Sequence, residues 1–268
     1  LNFFNLDFSM VYEFRRDVGE IINAGLMGYL NTWTFNVFGI FLLIIFLNSR
    51  MFFFVLLVFL LYVFWFGVSS HKSIIFYPFI ILFIFIYFRN NRGLSIIPIS
   101  LTLIISFSYF FFLFFDIFTF ADLFIRRVFF IPSFLTFTYY DFFSNEQFIF
   151  WSNSITSKFI DYPYDLSPPF LIGEYLGLKD GHANNSFLST GYMHAGIVGI
   201  IFYSIIFSLI LRLFDSIVYN QKYIWISVAI IIIPIRSLIT SADLPTALLT
   251  HGVFISFVLA ALYRYKFQ

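Results

Sequence analysis

The sequence predicts an all-α, polytopic membrane protein with about seven transmembrane helices and one large loop outside the membrane that carries short helices. Of the 268 residues, 61% are hydrophobic and only 11% are charged, and the mean hydropathy is +0.93. About a quarter of the residues of a soluble globular protein are charged. Because this chain has too few polar side chains to cover a water-soluble surface, we assign it to the integral membrane proteins.

Seven apolar runs predict the membrane-spanning helices. A bilayer core about 30 Å thick requires about 20 apolar residues of helix. The runs cover approximately residues 29–47, 51–68, 73–88, 94–115, 192–211, 223–239 and 244–263, and the third and sixth are short or interrupted. Pro78, Pro98 and Pro234 lie within or near runs, where neighbouring helices or Ser and Thr side chains can bond the carbonyl groups that proline leaves unpaired.

Basic residues in the short connections predict the orientation, because Lys and Arg in short loops are retained on the cytoplasmic side. Those of the predicted connections and the C-terminal tail all fall on one side: Arg50, Arg89, Arg92, Arg212, Lys222, Arg264 and Lys266. The tail is therefore predicted to be cytoplasmic, which places residues 1–28 outside. An odd number of spans should then precede Leu1, so we expect a chain that is truncated at its N-terminus.

Residues 116–191 are predicted to form the large outer loop within a single transmembrane domain that covers residues 1–268. This stretch holds eight of the fourteen carboxylates and many aromatic residues. Loops longer than about 15 residues without structure of their own are uncommon in compact domains. Because the aromatic side chains must bury against something, we expect short interfacial helices on the outer leaflet.

Composition and motifs exclude several classes of function. The chain has no Cys and a net charge of +1, which excludes disulfides and thiolate metal sites and gives no nucleic-acid footprint. The four histidines have no metal-ligand spacing, and the sequence contains no HExxH, Walker, GxSxG or GxGxxG motif. We therefore expect no metal, no cofactor and no nucleic-acid partner. Arg, Lys, His and carboxylates are left to carry the chemistry.

Cations and polar groups from separate segments collect on the predicted outer face, and they are the candidate site residues: Arg15, Arg16, Lys72, Arg126, Arg127, His182, Asn185, Arg236 and His251. A guanidinium offers a planar fork of donors that suits phosphate and diphosphate. The alternative for any single arginine pair is that it anchors the chain to lipid phosphates.

Two of these candidates need separate arguments. Arg236 directly follows an apolar run, and a charge at such depth is by default a functional residue that faces the bundle interior or a water-filled cavity. If Arg236 pairs with Asp243, seven residues further on, its role is structural instead. His182 is the first choice for a general base, and Asp180 is the second. The alternative for His182 is an ordinary hydrogen-bonding residue of a loop.

The order of these features resembles that of the Wzy-type O-antigen polymerases, the oligosaccharide repeat unit polymerases of bacteria. The stretches that carry the resemblance are Tyr12-Glu13-Phe14-Arg15-Arg16 with Gly28-Tyr29-Leu30, Ser69-Ser70-His71-Lys72-Ser73, Arg126-Arg127 with Ile131-Pro132, Asn184-Asn185-Ser186-Phe187 to Gly199, and Leu244-Pro245 with Leu248-Leu249-Thr250-His251-Gly252. Each stretch is a loose motif, and their order along nearly the whole chain is the stronger signal.

The resemblance implies a glycosyltransferase of the bacterial inner membrane that joins undecaprenyl-pyrophosphate-linked oligosaccharide units on the periplasmic side into O-antigen or capsular polysaccharide. Arg126 and Arg127 would stabilise the leaving diphosphate, and His182 would accept the proton of the acceptor hydroxyl. Arg15, Arg16, Lys72, Asn185, Arg236 and His251 would bind substrate, and the polyprenyl tail would lie in an apolar lateral groove. Membrane lipid, a flippase and a chain-length regulator are the implied partners.

Three alternatives stay open at this point. An O-antigen ligase has the same architecture and reaction class but transfers the glycan to the lipid A core of lipopolysaccharide. A flippase or transporter of a lipid-linked sugar and a structural partner in a polysaccharide-assembly complex belong to other classes. A flippase should carry polar groups along a continuous path to the cytoplasmic side. The polar groups of this chain are concentrated at one face, which favours the enzyme.

Overall fold

A computed structural model describes residues 4–7, 10–11, 14, 25–89, 93–178, 181–219 and 224–267, and this part of the chain is built from helices without a strand. The main helices are α1 (Gly25–Asn48), α2 (Phe52–Ser69), α3 (Lys72–Phe88), α4 (Ile96–Phe115), α5 (Asp122–Phe130), α6 (Ile131–Asn145), α7 (Pro168–Tyr175), α8 (Phe187–Val218), α9 (Ile224–Thr240), α10 (Leu244–Leu249) and α11 (Val253–Phe267). The predicted all-α class is confirmed.

Five segments of the described chain are long and apolar enough to cross a membrane. They are α1, α2, α4, α8 and Leu244–Arg264, which combines α10 with most of α11. Two shorter apolar helices, α3 and α9, have 17 residues each and coincide with the third and sixth predicted runs. All seven predicted runs are therefore helical. The last run is interrupted, however, because residues 250–252 separate α10 from α11 and Gly252 has a φ of +83°.

Polar residues in the left-handed conformation end two of the apolar helices. Ser70 follows α2 with a φ of +53°, and its N–H bonds the carbonyl oxygen of Phe66. Asp116 follows α4 with a φ of +53°, and its N–H bonds the carbonyl oxygen of Phe111. A residue in this conformation turns the chain away from the helix axis while it satisfies a terminal carbonyl group.

The predicted outer loop contains the short helices that the sequence suggests. A single helical turn at Thr119–Ala121 continues into α5, which has π-helical turns, and α5 continues directly into α6. Residues 146–167 lead from α6 to α7 without a helix, and the described residues between α7 and α8, 176–178 and 181–186, form no helix either. The position of these helices at a bilayer surface stays a prediction.

The chain divides into two compact units. One unit consists of Leu1–Arg92, Ile210–Ser237 and Pro245–Gln268, and the other consists of Gly93–Leu209 and Leu238–Leu244. We call them the first and the second unit. In the first unit α1, α2 and α3 contact one another, with buried side chains such as Leu43 on α1, Tyr62 on α2 and Ile81 on α3. The single transmembrane domain stays a prediction.

The second unit has a core of its own, which the predicted outer loop and the start of the fifth predicted run build together. The buried residues of this core are Tyr139, Phe143, Ile149, Ile172, Ala183, Tyr192 and Met193. The hydroxyl of Tyr139 donates to the carbonyl oxygen of Ala183 over 3.0 Å, and burial raises the pKa of this hydroxyl well above its usual value. The described residues of 131–193 thus form a packed structure rather than an extended connection.

Candidate functional site

Helix α8 is broken inside the apolar segment, at Ala195 and Gly196. Gly196 has a φ of +59° and a ψ of −141°, a combination that only glycine adopts readily. The backbone also folds back closely, since a Cβ atom added to Gly199 would lie 1.9 Å from the carbonyl oxygen of Gly191. Glycine permits such close backbone approach, and the structure shows it between Gly191 and Gly199, whereas a Cβ atom added to Gly196 would meet the ring of Phe148.

The loop before α7 supplies the hydrogen bonds that the break removes. The N–H of Ile149 donates to the carbonyl oxygen of Met193, and the N–H of Phe150 donates to that of His194, each over 3.1 Å. Phe150 and Trp151 have φ values of +51° and +61°, which costs about 1–3 kcal/mol for each non-glycine residue. Such a conformation persists only where the surrounding contacts hold it in place.

His194, Asp243, Tyr203 and Trp151 form a buried polar network at this break, which we call the break network. Asp243 Oδ2 lies 3.0 Å from His194 Nε2, and Asp243 Oδ1 accepts from the Tyr203 hydroxyl over 2.8 Å. The Tyr203 hydroxyl accepts in turn from Trp151 Nε1 over 2.7 Å. The Trp151 ring stacks on the imidazole with 4.8 Å between centroids and 15° between planes.

The hydrogen bonds assign the protonation states in the break network. His194 Nδ1 accepts from the backbone N–H of Trp151 over 3.1 Å, so this nitrogen carries no proton. Nε2 then carries the proton and donates it to Asp243, which makes the imidazole a neutral donor and the carboxylate an acceptor.

Asp243 stays ionised although it is largely buried. Burial raises the pKa of this carboxyl, but hydrogen bonds from His194, Tyr203 and Thr190 outweigh the burial and hold the pKa below its usual value. The backbone N–H of Leu244 also donates to Asp243 Oδ1 over 2.9 Å. Because these donors point at one carboxylate, the break network fixes the loop, α8 and the connection after α9 in place.

Sequence reasoning did not select the break network. Tyr203 and Trp151 are not among the predicted site residues, and the sequence suggests Asp243 only as a partner of Arg236. The one signal in the sequence is His194, an ionisable residue inside the predicted run 192–211, because such residues usually have a functional role. In the structure Asp243 bonds His194, Tyr203, Thr190 and the N–H of Leu244, and Arg236 donates to Tyr77.

Helix α5 brings two of the predicted site residues together. Arg126 Nε bonds one oxygen of Asp122, and Arg127 Nε bonds the other over 3.0 Å. Both arginine side chains are about half exposed. The hydrogen bond from Arg126 holds the pKa of Asp122 below its usual value. The three groups therefore leave one net positive charge on this face of α5.

An apolar groove borders the same helix. Its volume is about 730 Å³, and its lining residues are Leu103, Ile104, Ser106, Phe107, Phe110 and Phe124. Phe124 comes from α5, while the other lining residues come from α4, on which only Ser108 is buried. Two residues separate positions that lie on roughly opposite sides of a helix. The groove thus lies on one side of α5, and Arg126 lies on the other.

Asn185 and His182 lie close to the core of the second unit. The Asn185 side chain is buried, and its Nδ2 donates to Thr136 Oγ1 over 3.0 Å and to Ser189 Oγ over 2.8 Å. These bonds connect α6 to the first turn of α8. The His182 ring lies 3.9 Å from the ring centroid of Phe170. The substrate-binding role of Asn185 and the catalytic role of His182 stay predictions.

In the first unit Arg236 contacts a tyrosine. Its Nη2 donates to the Tyr77 hydroxyl over 2.9 Å, and its guanidinium carbon lies 5.5 Å from the Tyr77 ring centroid. Lys72 is the first residue of α3, the helix that also carries Tyr77. His251 lies between α10 and α11 and interacts electrostatically with Arg236. Arg15, Arg16 and Asp180 lie outside the described residues.

The fold and these polar centres define the class of the chain, a polytopic α-helical membrane protein with a broken apolar helix. No model of a known protein family, no curated protein and no solved structure matches it. Its function is therefore argued from its own residues.

Proposed function

We propose that the chain is a glycosyltransferase of the bacterial inner membrane that polymerises undecaprenyl-pyrophosphate-linked oligosaccharide units on the periplasmic face, into O-antigen or capsular polysaccharide. The observation that carries the proposal is the arrangement around α5. This helix has a cationic face with Arg126 and Arg127, and it borders an apolar groove through Phe124. A polyprenyl diphosphate needs both kinds of surface.

The groove accounts for the isoprenoid tail. Its volume of about 730 Å³ lies within the range of about 300–1,000 Å³ that is usual for sites of small molecules. The lining is apolar except for Ser106, and most of α4 is exposed. Because the exposed surface of an apolar membrane helix faces lipid, a tail can enter the groove sideways from the bilayer.

The cationic face accounts for the diphosphate. Asp122 bonds the Nε atoms of Arg126 and Arg127, which orients both guanidinium groups. Fixed donors of this kind stabilise the charge that develops on a leaving diphosphate, and they need no reorganisation during the reaction. An amphipathic helix at headgroup level would hold its apolar side towards the tail and its cationic side towards the diphosphate.

The reaction needs only one further group. The acceptor hydroxyl attacks the anomeric carbon of the donor sugar, the bond from that carbon to the diphosphate oxygen breaks, and the diphosphate leaves with the bonding electrons. His182 accepts the hydroxyl proton. Asn185, which belongs to the same unit as Arg126, Arg127 and His182, binds part of the donor or the acceptor. The substrate-binding roles that the resemblance implies for Arg15, Arg16, Lys72, Arg236 and His251 stay predictions. A ligase would use the same steps with the lipid A core as acceptor.

The break in α8 favours a second candidate, a flippase or transporter of a lipid-linked sugar. Discontinuous membrane helices with polar groups at the break are typical of the substrate sites of transporters. In this chain, however, the groups of the break network bond one another, and both freed carbonyls accept from the loop. The break therefore has the hydrogen bonding of a fixed bend, which makes transport the second choice.

Substitution of the arginines tests the proposal. Arg126, Arg127 and Arg236 are replaced singly by Ala and by Lys, with Arg212→Ala as the matched control because Arg212 is an exposed arginine on the predicted cytoplasmic side. The measurement is the ladder of surface polysaccharide in the native host. We expect the Ala variants to collapse the ladder to a single capped repeat unit, since removal of a fixed oxyanion donor lowers a rate about 10²–10³-fold.

Other changes in the polysaccharide ladder would indicate a ligase or a flippase. A ligase defect removes all capped species, and a flippase defect traps the repeat units inside the cell. A normal ladder in all six variants, at wild-type amounts of membrane protein, would show that the arginines do not act on the diphosphate.

A further inference from the structure

The loop between α6 and α7 exposes large apolar side chains on a compact frame. We call residues 149–161 the wedge loop. Residues 151–160 form successive turns, and Phe159 and Ile155 at the tip are 88% and 67% exposed. Ile160 and Lys158 are also exposed. The tip thus combines three large apolar side chains with one long cationic side chain.

Several backbone N–H groups of the wedge loop are bonded to carbonyl groups of the same loop. The N–H groups of Ser154 and Thr156 donate to the carbonyl oxygen of Trp151, and those of Phe159 and Ile160 donate to that of Thr156, over 2.8 to 3.2 Å. A loop in water can leave such groups to the solvent. A loop in a bilayer cannot, because each unsatisfied backbone group there costs several kcal/mol.

The hydroxyl groups of the wedge loop are bonded in the same way. Ser152 donates to the carbonyl oxygen of Ile149 and Thr156 to that of Phe150, each over 2.6 Å. Ser157 donates to the carbonyl oxygen of Ser154 over 2.8 Å. These side chains therefore do not oppose transfer of the loop from water to a less polar phase.

The base of the wedge loop lies against an exposed, apolar part of α8. The Trp151 ring packs edge-to-face on Phe202, with 5.8 Å between centroids. Phe202 and its neighbours Ile201 and Ile205 are about half exposed and belong to an apolar helix long enough to cross a membrane. The break network holds Trp151 at this position, so the loop starts beside a surface of the kind that membrane helices present to lipid.

We propose that the wedge loop inserts its tip into the boundary between headgroups and acyl chains and anchors the second unit to the lipid surface. Phe159, Ile155 and Ile160 gain about 25 cal/mol for each square ångström of apolar surface removed from water. Lys158 extends its ammonium group along its alkyl stem to a lipid phosphate. The anchor does not depend on the proposed reaction.

Site-specific labelling tests this inference, and the absence of native Cys from the sequence makes single-cysteine variants clean. Phe159→Cys and Ile155→Cys report on the tip, and Asp165→Cys, an exposed position four residues beyond the loop, is the matched control. Each purified variant carries a nitrobenzoxadiazole label and is reconstituted into vesicles of phosphatidylethanolamine and phosphatidylglycerol. The measurements are the emission wavelength, quenching by lipids with a spin label near the headgroup, and quenching by aqueous iodide.

We expect the two tip labels to emit at shorter wavelength than the control label, to be quenched by the spin-labelled lipid and to be shielded from iodide. The label at Asp165→Cys should show the reverse. A further variant, Phe159→Asp, should move the label at Ile155→Cys towards water. Tip labels that iodide quenches as strongly as the control overturn the inference. Tip labels shielded from both quenchers overturn it as well, because they indicate a protein partner or a second copy of the chain.

Discussion

Both units interrupt apolar helices, but they repair the interruptions with different chemistry. In the first unit α1 contains a π-helical turn at Thr34–Phe38, and the Tyr62 hydroxyl donates to the carbonyl oxygen of Phe35 over 2.6 Å. At the end of α10, Trp33 Nε1 donates to the carbonyl oxygen of Leu249 over 2.7 Å. Each repair is one neutral donor on one carbonyl group. In the second unit the repair of α8 includes an ionised carboxylate.

The difference indicates when a buried ionised group stabilises a fold more than a neutral donor does. A neutral donor removes the cost of one unpaired carbonyl group and connects two helices. Asp243 connects three segments, which are its own connection after α9, helix α8 and the wedge loop. It accepts from His194 and Tyr203 on α8, and these two residues in turn bond Trp151 of the wedge loop. We expect the break network to fail as a unit and the neutral repairs to fail singly.

The largest effect is expected for Asp243→Ala. The substitution leaves the Tyr203 hydroxyl, His194 Nε2 and the N–H of Leu244 without their acceptor, and each buried unsatisfied group costs about 1–3 kcal/mol. The sum is about 3 kcal/mol or more, which corresponds to a loss of about 6 °C or more in Tm for a chain of this size. The measurement is thermal unfolding of the purified protein in detergent.

Asp165→Ala is the matched control for this prediction, because it removes an exposed carboxylate from the same unit. A decrease in Tm no larger than that of the control would mean that the break in α8 is stable without its carboxylate. The distinction between the two kinds of repair would then be wrong.

A smaller effect is expected for Tyr62→Phe in the first unit. It removes the hydrogen bond to the carbonyl oxygen of Phe35, which costs about 1–2 kcal/mol and about 2–8 °C in Tm. Tyr109→Phe, at an exposed position of α4, controls for loss of a hydroxyl group. If Tyr62→Phe lowers Tm as much as Asp243→Ala, the π-helical turn is not a single, local repair.

The sequence predicts the helices better than it predicts the polar centres, for a physical reason. The length and hydropathy of an apolar run determine whether a helix can cross a bilayer, so all seven runs were found. The close approach of Gly191 and Gly199 agrees with the sequence as well, because glycine permits it locally. The break at residues 250–252 was missed, since the flanking residues are apolar on both sides.

The polar centres depend on partners that are distant in sequence. Asp243 is 49 residues from His194 and 40 residues from Tyr203, and no spacing rule connects such positions. The bond from Arg126 to Asp122 is different, because a separation of four residues places two side chains on one helix face. The ion pair between Arg126 and Asp122 could therefore have been predicted from the sequence. The neutralisation of one arginine charge could have been predicted with it.

The smallest expected effect is the pH dependence of what each repair contributes to stability. This dependence separates the two repairs most directly. The pKa of Asp243 is lower in the folded chain than its usual value. Its contribution to stability is therefore fully present above about pH 5, where an unfolded aspartate with a pKa of about 3.9 is ionised. The contribution is lost as the pH falls through the folded pKa. Tyr62 and Phe35 carry no group that titrates in this range.

The comparison is made on differences in Tm, so that titration of the other carboxylates cancels. The Tm of the wild type minus that of Asp243→Asn should decrease as the pH falls from 7.5 towards 4, because the aspartate of the unfolded chain, with a pKa of about 3.9, begins to bind a proton that the folded carboxylate does not. The Tm of the wild type minus that of Tyr62→Phe should stay constant over the same interval. Equal behaviour of the two differences would indicate that Asp243 is not ionised in the folded protein, since only an ionised carboxylate makes the repair of α8 sensitive to acid.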